Sequence, residues 1–421
     1  MIKAIRGVKD ILPSEARAWQ YVEAISRKLL EDYGFSELRT PIFEDTALFI
    51  RSIGEETDIV SKEMYTFPDR KGHSLTLRPE GTASVVRAFV EHKLYAQGPY
   101  QKLYYQGPMF RYERPQAGRS RQFHQIGAEV FGLAEPDIDA EMLILLNDLF
   151  SKLGLVDVNI LLNSVGCPER CRPQYKRLLQ EFLRQNFASL CLDCQQRCEK
   201  NPLRVMDCKN ESCQRVLSQA PVILEYLCSD CLRHHQEVER LLKVANIPYR
   251  INHRLVRGLD YYTRTAFEVT ASGLGAQNAI AGGGRYDRLV EDFGGPPTPA
   301  IGFALGMERV ILALAGQASM PKPRPLIYLA ALGQAARQEA FLLIRTLRQK
   351  GLRAIMNYQD RSLKALLKQA DQMGASLTII LGENELASRR LLLRDMVRST
   401  QEEIALDGDN IASVLEAKIL A

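Results

Sequence analysis

Residues 109–132 read MFRYERPQAGRSRQFHQIGAEVFG, and this stretch restricts the fold more than any other. Two apolar, strand-like flanks enclose a loop of proline, glycine and serine, the pattern of a β-hairpin. Arg111, Arg114, Arg119 and Arg121 crowd its tip against one acid, Glu113. Glu129 sits on the returning flank, and Phe123 and His124 fall where the loop returns. Arginine presents a planar fork of donors that matches phosphate, so four on one hairpin suggest a polyphosphate or nucleic-acid site. The plainer reading is a solvated basic loop, and other parts of the chain have to decide between them.

At 421 residues the chain exceeds one ordinary domain, and two or three are expected. Its 46% hydrophobic and 25% charged residues are those of a soluble globular protein. No apolar run approaches the roughly 18 residues of a membrane span, so no membrane partner is expected. The opening MIKAIRGVKD lacks the apolar core of a signal peptide, which makes a cytoplasmic location the expectation. A formal net charge of +5 permits an acidic partner without requiring one. All nine cysteines lie between Cys167 and Cys231, whereas a secreted disulfide scaffold would be shorter and would not confine them so.

Ser14 is placed to cap a helix whose first turn holds Glu15, with Val22, Ile25, Leu29 and Tyr33 at helical spacing and Gly34 as its stop. FSELRTPIF reads as a short strand interrupted at Pro41. MYTF and SLTLRPEGT form a second hairpin that ends in Arg78, Pro79, Glu80, Gly81 and Thr82. Helices are expected over about 83–92 and 137–153, with the strand VDVNILLNS after them. Residues 166–247 are helix-rich, carry every cysteine and read as an inserted module. Strand character returns over PYRINHRLVRGLDYYTRTAFEVTA. AIAGGGRYDRLV reads as a glycine-rich turn, and PAIGFALGMERVILALAG as a strand turning at Gly306 into a helix that opens with Glu308 and Arg309.

Residues 316–325 are a linker by composition. Beyond it LIYLAAL, LRAIM and LTIILG alternate with helices over about 335–350 and 362–373, a βαβαβ pattern that gives a parallel sheet. LLLRDM and a helix over 411–420 complete that domain. The fold expected is therefore α+β: an antiparallel sheet flanked by helices, with a helical insertion, then a C-terminal α/β domain. The boundaries expected are 1–165 with 248–320 for the first, 166–247 for the insertion and 325–421 for the last.

Arg309 opens a helix, where backbone N–H groups and the helix dipole already favour an anion. Arg111 and Arg309 can then clamp successive phosphates while Phe123 stacks on a base. No GxxxxGK[ST] loop is present, so nucleotide chemistry here must use another fold. Glu80, at a strand-to-helix corner, can bind an ammonium group or serve the adjacent helix N-terminus, and the second is the simpler reading.

FRYERP with Arg111, GMER with Arg309 and the helix–strand–Pro41 unit resemble the three motifs of class II aminoacyl-tRNA synthetases. RPEGT, FHQIGAEVFG and above all LVRGLDYYTRTAFEV resemble the histidyl-tRNA synthetase family, and the resemblance runs from RGVKDILP to the C-terminal domain. It implies histidine–tRNA ligation, with ATP and Mg2+, L-histidine and tRNA(His) as partners, a homodimer, and a C-terminal anticodon-binding domain.

The resemblance also implies roles. Arg111 would hold the ATP α-phosphate and the histidine carboxylate, and Arg309 the γ-phosphate side, with Arg119 helping. Glu113 and Phe123 would contact adenine. Glu80, Thr82 and Gln125 would hold the histidine amino group and its surroundings, and Glu129 and Tyr262 would read the imidazole. Tyr261 and Tyr286 would line the pocket, and Arg257 would neutralise the α-phosphate. The hairpin tip from Arg114 to Arg121 would approach the tRNA acceptor stem. The nearest rival is the synthetase-like, histidine-sensing regulatory subunit of ATP phosphoribosyltransferase, disfavoured by intact Arg111, Arg257 and Arg309 and by the C-terminal domain.

Cys191-x-x-Cys194 and Cys228-x-x-Cys231 have the local spacing of a four-cysteine zinc site. The two pairs lie further apart than in a compact zinc ribbon, and the resemblance implies no dependence on zinc. Reduced, partly buried cysteines are therefore favoured over a structural zinc, and the module is expected to reach toward the tRNA acceptor arm.

Overall fold

The computed structural model describes residues 2–54, 57–116, 118–256, 259, 261–275, 278–317 and 324–420. They fall into two compact units, 1–320 and 321–421. Most of the expected linker, residues 318–323, lies outside the described residues.

Helix α1 (Pro13–Asp32) opens the larger unit with Pro13 in its first turn, so Ser14 lies inside the helix and does not cap it. Proline suits that position because its missing N–H would have no helical partner there. The buried residues Trp19, Val22, Ser26, Leu29 and Leu30 form one stripe at three- and four-residue intervals. Strands β1 (Ser36–Glu37) and β2 (Phe43–Asp45) lie on either side of Pro41 and enter different sheets.

Helix α2 (Thr46–Ile53) leads to the hairpin of β3 (Tyr65–Pro68) and β4 (Ser74–Leu77), and α3 (Thr82–Glu91) follows the Glu80 corner. The long strands β5 (Gln101–Phe110) and β6 (Gln122–Phe131) come next, then α4 (Pro136–Leu153) and β7 (Val158–Ser164). The cysteine segment carries α5 (Cys171–Gln185), α6 (Leu192–Lys200), α7 (Glu211–Leu217) and α8 (Ser229–Val244). The chain returns through β8 (Tyr249–Ile251), β9 (Thr263–Ala271), β10 (Ala279–Arg285), α9 (Leu289–Asp292), β11 (Ala300–Gly306) and α10 (Met307–Gln317).

Among the described residues, eight strands form one sheet in the order β1-β5-β6-β11-β10-β9-β7-β8. Its two edge pairs, β1–β5 and β7–β8, run parallel, and every pair between them is antiparallel. β5 and β6 pair from Gln101–Phe131 to Phe110–Gln122, which is the hairpin expected from residues 109–132. The main core joins this sheet to α1, α4, α8 and α10.

Two sequence expectations change here. The stretch from residue 248 to 271 divides into β8 and β9, and the described residues between them belong to no strand. AIAGGG is not a turn but strand β10, between β9 and β11. Its glycines serve close approach: a Cβ at Gly283 would meet the Gly302 carbonyl oxygen at 2.1 Å.

The smaller unit holds β12 (Leu326–Ala331), α11 (Gln334–Gln349), β13 (Ala354–Met356), α12 (Leu363–Gln372) and β14 (Ala375–Leu381). Then follow α13 (Glu383–Ser388), β15 (Arg390–Asp395), β16 (Gln401–Ala405) and α14 (Gly408–Leu420). β12, β13 and β14 are parallel as the βαβαβ pattern requires. β15 and β16 add an antiparallel edge that the sequence reading did not anticipate. β16 reads QEEIA, too polar to announce itself as a strand, and its exposed edge position explains why.

Candidate active site

Successive side chains on β6 point to opposite faces of the sheet. Ile126, Ala128 and Val130 enter the main core, which leaves Gln125 and Glu129 on the other face. That face floors a pocket of about 460 Å³. Of the residues singled out in the sequence, Glu80, Thr82, Arg111, Glu113, Arg119, Phe123, Gln125, Glu129, Tyr261, Tyr262, Tyr286 and Arg309 all line it. Arg257 lies outside the described residues, as do Gly258 and Asp260.

One group of these side chains is acidic and phenolic. Glu129 is fully buried, accepting from the Thr82 hydroxyl at 2.7 Å and from the Tyr286 hydroxyl at 2.5 Å. Burial pushes its carboxyl from an ordinary value of 4.5 up to about 8; the Tyr286 and Thr82 hydrogen bonds oppose the rise, and Glu80 adds to it. Glu80 caps α3, accepting from the Thr82 and Ala83 N–H groups at 2.8 and 2.7 Å. Burial raises its carboxyl too, against those two donors. The helix-capping reading of Glu80 therefore holds, and the same residue still lines the pocket. Tyr261 packs against both Tyr262 and Tyr286, with ring centroids 4.7 and 5.6 Å apart. Gln125 lines the pocket, and its amide oxygen is buried with no hydrogen-bond partner.

The second group is cationic. Arg111 donates to the Pro79 carbonyl at 2.8 Å and lies over the Phe123 ring at 5.3 Å. Arg119 pairs with Glu113 at 3.1 Å. Arg309 is held by the carbonyls of Gly118, at 3.2 Å, and Ala279, at 2.8 Å. Burial and then the charge of Arg119 push the Arg309 guanidinium below its ordinary pKa. Cations crowded in this way favour an anion among them. Of the other tip arginines, Arg114 is exposed, while Arg121 is occupied with the N-terminal segment. Its backbone N–H donates to Gly7 at 2.7 Å, and its guanidinium stacks on Tyr112 at 3.8 Å.

Several residues in or behind this pocket were given no site role by sequence reasoning. Glu308 accepts from the His124 backbone N–H at 3.0 Å and lies 3.1 Å from its ring nitrogen, pinning the loop's return. Glu268, an acid in the otherwise apolar run AFEVTA, lines the pocket, and that contrast was its only signal. Asp207 and Lys209 reach it from the cysteine segment. Arg285, wholly buried behind Tyr286, is bound by Asp139 and Asp287, and Asp139 also meets His234 at 2.7 Å.

The cysteines group differently from the expectation. Cys191 and Cys194 meet Cys208 and Cys213, whereas Cys228 and Cys231 meet Cys167 and Cys171. The two C-x-x-C pairs therefore do not share one site. Each opens a different helix: Cys191 precedes α6 in the module's own core, and Cys228 precedes α8, whose Val238 and Leu242 belong to the main core.

A family model described as histidyl-tRNA synthetase matches residues 7–310, and one described as an anticodon binding domain matches 327–418. The histidine–tRNA ligase of Pelotomaculum thermopropionicum is 52% identical over 405 residues, spanning 96% of this chain and 95% of that protein. That of Syntrophotalea carbinolica is 52% identical over 407 residues, spanning 97% of each. The crystal structure of apo S. aureus histidyl-tRNA synthetase superposes with a TM-score of 0.81 at 36% identity, covering 98% of this chain and 99% of that one. Agreement at this level along nearly the whole length, cysteine segment and smaller unit included, makes this chain a member of the histidyl-tRNA synthetase family.

Proposed function

We propose that the pocket joins L-histidine to tRNA(His) in two steps. The observation that carries this reading is that one hairpin brings Arg111, the half-buried Gln125 and the fully buried Glu129 into a single pocket with Arg309. A histidine carboxylate oxygen attacks the α-phosphorus of ATP; the new P–O bond replaces the bond to the β-phosphate, and pyrophosphate leaves. A ribose hydroxyl at the tRNA 3′ end then attacks the histidyl carbonyl and AMP leaves. Arg111, lying beside Phe123 and close to Glu80, holds the α-phosphate and the histidine carboxylate together. Arg309 and Arg119 hold the outer phosphates, and Glu113 and Phe123 hold adenine. Such a transfer needs positioning and charge neutralisation more than covalent help.

Glu80, Thr82 and Gln125 receive the amino group. Glu129 and Tyr262 read the imidazole, with Tyr261 and Tyr286 as walls. A competitor without two ring nitrogens leaves buried polar groups unpaired, which is where strong discrimination arises. Arg257 neutralises the α-phosphate, a role that rests on the family resemblance of RGLDYY alone. Mg2+ fits the donor set, because Glu268 and Glu308 line the pocket and magnesium is bound by one or two carboxylates plus phosphate oxygens. When bound it supplies further neutralisation of phosphate charge.

In this reading residues 1–165 and 248–320 form the catalytic domain, 166–247 an insertion reaching toward the acceptor arm, and 325–421 the anticodon-binding domain. Exposed Ile42, Phe43 and Phe67 around the small sheet support a homodimer. No described helix is long and apolar enough to cross a membrane. A cytoplasmic location belongs to this reading because tRNA is the partner. ATP–pyrophosphate exchange tests the proposal: exchange should require histidine and collapse in Arg257→Ala. Exchange at the wild-type rate removes Arg257 from the mechanism, and no exchange in the wild type favours a histidine-sensing regulator.

A further inference from the structure

We infer that the cysteine segment binds two zinc ions, one held by Cys167, Cys171, Cys228 and Cys231 and the other by Cys191, Cys194, Cys208 and Cys213. Within each quartet the four sulfur atoms lie within 4.8 Å of one another, and eight of the nine cysteines are used. Zinc–sulfur bonds of about 2.3 Å in a tetrahedron place the sulfurs about 3.8 Å apart. The separations here are 3.5 Å for Cys167–Cys171, 4.0 Å for Cys167–Cys228 and 3.9 Å for Cys191–Cys208. These distances surround a single ion; a cluster of several irons and sulfides would spread its ligands wider.

The local chemistry fits a thiolate site. Each quartet combines a C-x-x-C pair with a second pair separated by three or four residues, within the range of structural zinc sites. Cys191 and Cys228 stand at the N-caps of α6 and α8, where the helix dipole favours negative sulfur. Backbone N–H groups also point at the sulfurs: Cys228 to Cys171 at 3.1 Å, Cys191 to Cys213 at 3.2 Å and Asn210 to Cys208 at 3.4 Å. Such donors orient and stabilise metal-bound thiolates.

The fold shows why staples are needed. The module's own core has twelve buried residues, and four of them are cysteines, so little aliphatic surface is available to hold it. The first ion closes the neck of the insertion, tying the chain leaving β7 to the chain entering α8. That neck adjoins the active site, because Gly166 accepts from the Arg264 N–H and Arg172 donates to the Tyr262 carbonyl. The second ion fixes Cys208, whose neighbours Asp207 and Lys209 line the pocket. The ions thereby connect the module's integrity to the pocket mouth, although neither takes part in the chemistry.

The test is metal analysis of untagged, purified wild-type protein by plasma mass spectrometry, together with zinc release by an organomercurial into a chromogenic chelator. Two zinc ions per chain are expected, released as eight thiols react, with Cys198 outside the count. Cys171→Ser with Cys231→Ser should retain one ion, and Cys194→Ser with Cys213→Ser should retain the other. If those variants do not fold, the wild-type stoichiometry and release still decide. Folded protein with less than one zinc and freely reactive thiols overturns the inference, and so does iron with visible absorbance.

Discussion

Glu129 on β6 and Gly302 on β11 are cross-strand partners, and a Cβ at Gly302 would lie 1.6 Å from Oε2 of Glu129. The carboxyl therefore occupies space that only glycine leaves open. Gly302→Ala must push Glu129 away from Tyr286 and Thr82. A displacement near 1 Å at such a site costs about 100-fold in rate. Histidine-dependent pyrophosphate exchange should fall by that order, with the loss in the histidine KM and not in the ATP KM; an unchanged histidine KM contradicts the packing argument.

The raised carboxyl of Glu129 sets a pH dependence of stability. Below its ordinary value of 4.5 the group is neutral folded and unfolded, and contributes no difference. As pH rises toward about 8 the unfolded chain gains a charge that the folded site refuses, so stability is lost across that window. Glu129→Gln removes the effect. Its melting temperature relative to wild type should climb steadily from pH 5 to pH 8.5, and a difference that stays flat across that range rules out the burial-driven shift.

Asp139 is wholly buried between Arg285 and His234. Burial alone would push its carboxyl up; the Arg285 charge and the His234 hydrogen bond outweigh it and hold the carboxyl below the ordinary range. Asp139→Asn leaves a buried guanidinium short of compensation, which costs about 3–5 kcal/mol. The single tryptophan, Trp19, is buried in the same unit and reports its unfolding. The urea midpoint followed by Trp19 fluorescence should drop accordingly, and an unmoved midpoint would show the pair to be dispensable.

Arg309 shares its surroundings with Arg119 and Arg111, and that like charge helps to depress its pKa. A polyanion bound among the three should stabilise the fold by about 2.7 kcal/mol at 100 times its Kd. Pyrophosphate is expected to raise the wild-type melting temperature, and Arg309→Gln to abolish most of that rise while lowering exchange about 100-fold or more. Equal pyrophosphate stabilisation of both proteins would place the anion elsewhere.

Local chemistry was legible in the order of the residues alone. The apolar flanks around Arg111 and Arg121, joined by a loop of proline, glycine and serine, mark β5 and β6 as a hairpin, and LIYLAAL, LRAIM and LTIILG are apolar enough to be adjacent parallel strands. The RPEGT, FRYERP and GMER stretches marked residues that converge on one pocket, because motifs are local and carry their own turn chemistry. Relationships between residues distant in the chain emerge only from the packing of the folded molecule. The glycines of β10 read as a turn until Gly302 and Phe267 are seen pressing on Gly283. The ion pair of Asp139 and Arg285 spans 146 positions. Cysteine spacing offered Cys191-x-x-Cys194 and Cys228-x-x-Cys231 as one set, yet helix packing sends them to separate quartets. Burial, close backbone approach and long-range pairing arise from the arrangement of elements in space, and no periodicity along the chain encodes them.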